Sequence, residues 1–455
     1  MFQQSFFHSP VRIFQWLLCP FLLVYSLLVP PWQVPDEPIH FVRAWMFSCG
    51  RFRADLSSQG FRGTEVPIEL TATLDCFLFP INGRPEAKVD ARLWWRAFVE
   101  GKKTEGACFY RFHNPMLYGP TVYLPQIIAI WLCRLFSPSL VFLLWCCRLS
   151  TLCVAAFLIR AALLKAEATG LDWFFLIVAG MPMTLTQLAS CSADALTISL
   201  AFYWISDCWA CRLRTLTGRD RLRLSVLASA LLLGKMGYVF LPLFAAICWR
   251  PWLSRQALGS FVSYLGAVFL PSLLWAFWVH VDYFPSRHFD AVWIQPAEQW
   301  TFLFQHPQVF CVAVWRALFQ YGGTYGMGIV GVLGWLETPL PKVVYGLFGL
   351  MLGWSILRGS DLSLSRFERG GIAFLLVGSI GYLFLATYLT WNPVGNIILE
   401  GIQGRYFIPL LPLMPAFFPK TKLGKYMDDI AVWVPVGLIA CQFWTCATLL
   451  KRFWL

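Results

Sequence analysis

The feature that most constrains the fold is a series of apolar runs along the chain, many of them roughly 17 to 25 residues long. At a rise of about 1.5 Å per residue, such a run forms a helix long enough to cross the hydrocarbon core of a bilayer. The composition agrees, since 58% of the residues are hydrophobic, 13% are charged and the mean hydropathy is +0.61. These values exclude an ordinary soluble domain. The sequence predicts an all-α, polytopic integral membrane protein with about 11–13 transmembrane helices.

The apolar runs and the polar segments between them predict one membrane domain over residues 1–455. We expect the first transmembrane helix at residues 12–31 and a long extracytoplasmic loop at residues 32–118. The remaining transmembrane helices fall within residues 119–455, with a polar insertion around 281–340. Segment 119–136 fits an interfacial or re-entrant helix better than a full crossing. A loop as long as 32–118 is expected to pack on the membrane face.

The positive charge follows the pattern of membrane topology rather than that of nucleic-acid binding. The net charge is +12, but most Lys and Arg residues lie in short loops between apolar runs. Five arginines fall between residues 212 and 223, which predicts that this loop is cytoplasmic. Counting helices from this loop places residues 32–118 on the opposite, outer face. We therefore expect membrane lipids as partners and no nucleic acid.

Most of the cysteines lie inside apolar runs, where Cys behaves as a small hydrophobic residue. The pair Cys146 and Cys147 has no metal-ligand spacing with any histidine, so no metal site is predicted. Cys49, Cys76 and Cys108 fall in the polar loop. A disulfide between two of these three is left open, because sequence does not determine the pairing.

A group of ionisable residues follows directly on the first apolar run. Prolines stop that helix and hold the chain extended, so the carboxylates of Asp36 and Glu37 lie on a fixed turn. His40 and Arg43 follow shortly after. One interpretation is a polar cap on a transmembrane helix. The other, which we favour, is a reactive corner whose carboxylates act as a general base or bind a cation.

Further ionisable residues stand next to apolar segments, where they are costly and therefore functional candidates. Asp194 follows a Ser-Cys-Ser turn, Lys235 interrupts an apolar run, and Arg405 stands at the head of another. Arg111 and His113 close the polar loop. Helix counting places them all on the side of the carboxylates. A structural role such as snorkelling is the alternative for each one.

A cation beside a carboxylate at a lipid surface suits sugar transfer from a lipid phosphate, because the acceptor loses a proton while the phosphate leaves with negative charge.

Several motifs resemble the bacterial membrane family called domain of unknown function 2142. They are Pro-Asp-Glu-Pro-x-His-Phe at 35–41, Met-Pro-Met at 181–183 running to Ser-x-Ser-x-Asp-Ala at 190–195, Gly-Lys-x-x-Tyr at 234–238, Gly-Trp-Leu at 334–336 and Gly-x-Gln-Gly-Arg-Tyr at 401–406. That family in turn resembles the GT-C glycosyltransferases, which are multi-helix enzymes that use polyprenyl-phosphate sugars. The resemblance implies a GT-C-like fold in the bacterial inner membrane. It also implies a catalytic carboxylate at Asp36 or Glu37 and a second acidic position at Asp194.

The resulting hypothesis is a membrane glycosyltransferase. It moves a sugar from a polyprenyl-phosphate donor to an envelope glycan or lipid-linked acceptor on the periplasmic face. The catalytic candidates are Asp36, Glu37 and His40; the candidates for the donor phosphate are Lys235, Tyr238, Arg405 and Tyr406; the candidates for other substrate contacts are Arg43, Arg111, His113, Asp194 and Gln403. A need for Mg²⁺ or Mn²⁺ is left open.

Two rival hypotheses remain: a transporter or flippase of a lipid-linked or anionic substrate, and a scaffold subunit of an envelope polysaccharide machine. Within the glycosyltransferase hypothesis, Asp36 and Glu37 are neighbours on an extended turn and point in opposite directions. One is therefore catalytic, and the other pairs with a cation such as Arg43 or caps the next helix. The shorter side chain, held between prolines, favours Asp36 as the base.

Overall fold

The computed structural model describes residues 9–100, 106–111, 114–136, 138–283, 293–420 and 424–455. Helices dominate, as the hydrophobic pattern predicts. In the first half they are α1 (Pro10–Leu28), α2 (Glu37–Ser48), α3 (Glu69–Phe77), α4 (Ala91–Val99), α5 (Leu124–Arg134), α6 (Leu140–Glu167), α7 (Asp172–Ala179), α8 (Pro182–Leu188), α9 (Ala193–Arg212) and α10 (Gly218–Gly234).

The second half continues with further helices of very different lengths. They are α11 (Ala246–Trp249), α12 (Arg255–Tyr283), α13 (Pro296–Gln305), α14 (Pro307–Val330), α15 (Lys342–Arg358), α16 (Arg366–Trp391), α17 (Gly424–Met427) and α18 (Trp433–Phe453). Several apolar stretches form 3₁₀ segments instead, among them Met236–Tyr238, Leu241–Ala245 and Gly404–Phe417. The last of these contains three prolines, which lack the backbone donor that an α-helix requires.

Five helices in the described residues are long and apolar enough to cross a membrane: α1, α6, α12, α16 and α18. Helices α8 and α9 together make a sixth if their 114° bend is counted within one span. The predicted number of 11–13 is therefore too high for helices of spanning length in this part of the chain. The reason is that several apolar runs are broken, for example at the Gly180–Met181 junction between α7 and α8. Helix α5, at 11 residues, is not among the spanning helices.

The polar segment 32–118 is folded, but it is not entirely helical. Besides α2, α3 and α4 it contains an antiparallel sheet of β1 (Asp55–Leu56), β2 (Arg62–Pro67) and β3 (Ala107–Arg111) in the order β1-β2-β3. It is tied to the C-terminal helix, since the Val89 amide donates to the Phe453 carbonyl over 2.7 Å. Cys49, Cys76 and Cys108 are all free, so the disulfide considered from the sequence is not formed.

Helices α9 and α10 form an antiparallel hairpin that separates two charged regions. Helix α9 begins beside Asp194 and ends at Arg212, about 27 Å further along its axis. Helix α10 returns from the arginine-rich loop and ends directly before Lys235. The hairpin thus places Asp194 and Lys235 at one end and the arginine-rich loop at the other.

Candidate functional site

The turn before α2 presents Asp36 in an unusual backbone conformation. Asp36 has φ +64°, in the left-handed region, and occupies the N-cap position of α2. Asp and Asn enter this region more easily than most residues. A hairpin of β4 (Val332–Leu333) and β5 (Thr338–Pro339) supports the turn, because the indole N–H of Trp335 donates to the Trp32 carbonyl over 2.9 Å. The Gly-Trp-Leu motif at 334–336 therefore helps to hold Asp36.

Glu37 is fully buried and bound on both carboxylate oxygens. Arg148 of α6 donates from Nε to Oε1 over 2.8 Å and from Nη2 to Oε2 over 2.6 Å. The main-chain amides of Trp32 and Cys191 donate to the same carboxylate over 3.2 and 3.0 Å. Arg148 also donates to the carbonyls of residues 26, 29 and 30. Glu37 therefore joins the end of α1, α6 and the break between α8 and α9, which is a structural role.

Asp36 forms an ion pair with Arg405. Arg405 Nη2 lies 2.6 Å from Asp36 Oδ2, and Nη1 donates to the Pro35 carbonyl over 3.3 Å. The Arg405 side chain is 1% exposed, whereas the Asp36 side chain is 37% exposed. Of the two neighbouring carboxylates, Asp36 is thus the one that an incoming molecule can reach.

Asp194 and Lys235 complete what we call the charged cluster: Asp36, Asp194, Lys235 and Arg405. Lys235 donates to Asp194 Oδ1, and Arg405 Nε lies 3.4 Å from Asp194 Oδ2. Asp194 stands in the first turn of α9, where the helix dipole favours a negative charge. The cluster balances two carboxylates against two cations, which lowers the cost of burying them.

Close backbone contacts position both cations. A Cβ atom on Gly404 would lie 2.4 Å from the Tyr325 carbonyl oxygen and 2.5 Å from the Gly328 carbonyl carbon, so only glycine lets α14 pack here. A Cβ atom on Gly234 would lie 2.2 Å from Val122 Cγ1. The glycine-rich run of residues 322–328 lies within α14, and within it Gly328 packs closely on the backbone of Gly404.

Aromatic rings surround Lys235. Its Nζ lies 4.8 Å from the ring centre of Tyr406 and 5.5 Å from that of Tyr118, distances typical of cation–π contacts. The Tyr238 hydroxyl donates to the Tyr406 carbonyl over 2.9 Å. Burial raises the pKa of Tyr406 to about 12. The tyrosines therefore stay protonated near neutral pH and contribute rings and hydroxyl groups rather than charge.

His40 is buried beside the cluster and is neutral at ordinary pH. Burial lowers its pKa to about 4, an effect that outweighs the opposing influence of Asp36 and Asp194. Its Nδ1 lies 2.8 Å from the Tyr123 hydroxyl, and its ring stacks on Tyr118 at 6.0 Å. A histidine with so low a pKa is a weak base, and its contacts suit positioning of the tyrosines.

The other predicted substrate-binding residues lie elsewhere or make different contacts. Arg43 is buried and donates to the carbonyls of Met116 and Tyr118 over 3.0 and 3.2 Å, so it does not pair with Glu37. Arg111 lies in β3, where it donates to Gln59 over 2.7 Å. Gln403 precedes the cluster's Arg405 but has no described contact with the charged side chains. His113 lies outside the described residues.

Arg148 is the residue that the sequence interpretation missed. An arginine inside the apolar run 139–160 carries the same signal as Lys235, namely a charge within a membrane-length segment. The described residues contain no group of three or more His, Cys, Asp or Glu side chains that could hold a metal ion. The charged cluster itself offers one partly exposed carboxylate, Asp36, and two buried cations, Lys235 and Arg405.

Neither the curated proteins nor the solved structures contain a match to this chain. A family match does exist, and it covers residues 19–414, including the charged cluster and the Glu37–Arg148 pair. With several membrane-length helices and a match over most of its length, the chain belongs to the family of predicted membrane proteins DUF2142.

Proposed function

We propose that this protein is a membrane glycosyltransferase that moves a sugar from a polyprenyl-phosphate donor to an envelope glycan or lipid-linked acceptor. The observation that carries the proposal is the position of Asp36. It is a partly exposed carboxylate that Arg405 holds, and Asp194 links Arg405 to a second buried cation, Lys235. An accessible base next to fixed positive charge is what transfer from a lipid phosphate requires.

In the proposed reaction, Asp36 accepts the proton of the attacking acceptor hydroxyl. The acceptor oxygen forms a bond to the anomeric carbon of the sugar while the bond from that carbon to the phosphate oxygen breaks. The electron pair of the broken bond stays with the phosphate. Arg405 donates to Asp36 over 2.6 Å, so its positive charge stands beside the reacting group and stabilises the negative charge that develops on the leaving phosphate. The side of the proposed phosphate site away from Arg405 is formed by Lys235 and by the rings of Tyr118 and Tyr406.

The proposal places the charged cluster at the periplasmic face of the bacterial inner membrane. Its support is the distribution of arginines, which predicts a cytoplasmic loop at residues 212–223. Because α9 and α10 run between that loop and the cluster, the two lie about 27 Å apart, close to the hydrocarbon thickness of a bilayer.

The test uses the purified full chain in lipid nanodiscs with a panel of polyprenyl-phosphate sugars and an envelope glycan fraction. The expected result is loss of one donor with release of polyprenyl phosphate, measured by mass spectrometry. Movement of an intact donor across a vesicle bilayer without its consumption would contradict the proposal and identify a transporter instead. Absence of both turnover and transport would favour a scaffold role.

A further inference from the structure

A second charged region opens at the other end of the α9–α10 hairpin. There a pocket of about 410 Å³ lies between the end of α9, the loop before α10 and the segment that joins α11 to α12. Four arginines line it: Arg212, Arg214, Arg221 and Arg250. The described residues that line this pocket include no carboxylate. We call it the arginine pocket.

Two of these arginines are already engaged by neighbouring acids. Arg212 Nη2 donates to Glu368 over 2.8 Å, and the Arg214 guanidinium donates to both oxygens of Asp220 over 2.6 and 2.7 Å. Arg221 donates to the Ser260 hydroxyl over 3.1 Å. Arg250 has no side-chain partner among the described residues. The pocket therefore retains at least one uncompensated positive charge.

Buried donors without partners point to the missing ligand. Trp249 is 5% exposed, and its indole N–H has no hydrogen-bond partner in the described part of the chain. The Nε–H of Arg212 is buried and unpaired in the same way. A buried donor without an acceptor is costly, and a good fold leaves few of them. The polar side chains of Arg221, Trp249 and Arg250 line the pocket and are strong hydrogen-bond donors, so a ligand that fits there accepts hydrogen bonds and carries negative charge.

The rim of the pocket indicates where the ligand comes from. Leu213 and Leu253 line the pocket and are 55% and 67% exposed. Helix α12, one of the spanning helices, begins two residues after Leu253. The start of a spanning helix lies at the level of lipid headgroups, and arginine binds phosphate oxygens through its fork of donors. A lipid phosphate combines negative charge with apolar chains that match the exposed leucines.

We propose that the arginine pocket binds the phosphate headgroup of an anionic lipid, on the face opposite the charged cluster. Arg250 and the indole N–H of Trp249 donate to the phosphate oxygens, and the exposed leucines contact the acyl chains. The site is separate from the proposed glycosyltransferase chemistry and does not depend on it.

The experiment measures lipid binding to the purified full chain by native mass spectrometry. The detergent-solubilised protein is mixed with phosphatidylglycerol, with phosphatidylcholine, or with inorganic phosphate alone. The wild-type protein should retain phosphatidylglycerol in preference to phosphatidylcholine. Arg250→Gln and Trp249→Phe should each weaken phosphatidylglycerol binding by about tenfold, because each removes a donor to a charged acceptor.

Arg255→Gln is the matched control, since Arg255 lies close in sequence but does not line the pocket. It should change binding by no more than about twofold.

An equal loss in Arg255→Gln and Arg250→Gln would overturn the proposal, because diffuse surface charge would then explain the preference. Equal retention of both lipids by the wild type would also overturn it. Tight binding of inorganic phosphate without any lipid preference would identify a soluble phosphate ligand instead. If Trp249→Phe fails to fold, Arg250→Gln decides alone.

Discussion

Arg405 Nη2 lies 2.6 Å from Asp36 Oδ2, an ion pair between residues 369 positions apart in the chain. It connects the turn after the first spanning helix to the 3₁₀ segment Gly404–Phe417. Arg405 also approaches Asp194, and Lys235 binds Asp194 from the other side. Four charges from four distant segments thus meet at one end of the α9–α10 hairpin.

The contact between Gly404 and α14 gives the first prediction. Gly404→Ala should displace the 3₁₀ segment and Arg405 with it, because the added Cβ would lie 2.4 Å from the Tyr325 carbonyl oxygen. We expect a lower unfolding temperature and weaker binding of a polyprenyl phosphate. Gly326→Ala, on the α14 helix that Gly404 packs against, is the control, since its Cβ meets nothing within 4 Å. Equal effects of the two substitutions would show that the close approach does not matter.

The buried pair of Glu37 and Arg148 gives the second prediction. Arg148→Met should destabilise the fold by about 3–5 kcal/mol, because it leaves the Glu37 carboxylate buried without its cation. Chemical unfolding in detergent measures the loss. Arg160→Met is the matched control, as Arg160 lies on the same helix and has no side-chain partner among the described residues. Stability unchanged by Arg148→Met would contradict the structural role of the pair.

The sequence was sufficient to identify all four residues of the charged cluster. Ionisable residues beside or within apolar segments are costly, and this rule selected Asp36, Asp194, Lys235 and Arg405, which the structure brings together. Arg148 also lies within an apolar segment, but the sequence does not show that it, rather than Arg43, is the cation that pairs with Glu37. Arg43 instead binds main-chain carbonyls, which carry no signal in the sequence.

The helix count shows a limit of hydrophobic patterning. The length of an apolar run shows how much of the chain is shielded from water, but it does not show where a helix within that run ends. The run 405–418 is apolar after Arg405, yet Pro409, Pro412 and Pro415 turn it into a 3₁₀ segment. Likewise, Glu37 accepts the Cys191 amide across the break between α8 and α9, a contact between segments that are 154 residues apart. Tertiary contacts of this kind decide which runs become continuous helices.

The buried His40 gives a pH-dependent prediction. Its pKa is about 4 in the folded protein and 6.5 in the unfolded chain, so between these values only the unfolded chain binds the proton. Proton binding by the unfolded chain lowers the free energy of unfolding as the pH drops from 6.5 toward 4, by up to about 1.4 kcal/mol per pH unit. Above pH 6.5 this loss of stability is absent. Unfolding midpoints measured across this window should fall more steeply for the wild type than for His40→Gln. Parallel curves would contradict the buried, neutral histidine.

The membrane topology gives a fourth prediction. In a Cys-depleted background, Ser58→Cys should react with an impermeant thiol reagent added to intact cells, while Arg219→Cys should react only after the cells are opened. Both positions are exposed, so access depends on the membrane alone. Labelling of position 219 from outside would reverse the orientation and remove the charged cluster from the periplasm.

Single-turnover sugar transfer by Asp36→Asn tests the central claim most directly. Asparagine keeps the shape and tolerates φ +64°, but an amide cannot take the acceptor proton. The account predicts that polyprenyl-phosphate sugar still binds to Asp36→Asn while transfer is lost. It also predicts that Glu37→Gln lowers activity less, or acts through stability, because Glu37 is fully bound by Arg148 and main-chain amides. Transfer that persists in Asp36→Asn, measured with donor binding in the same preparation, would contradict the account.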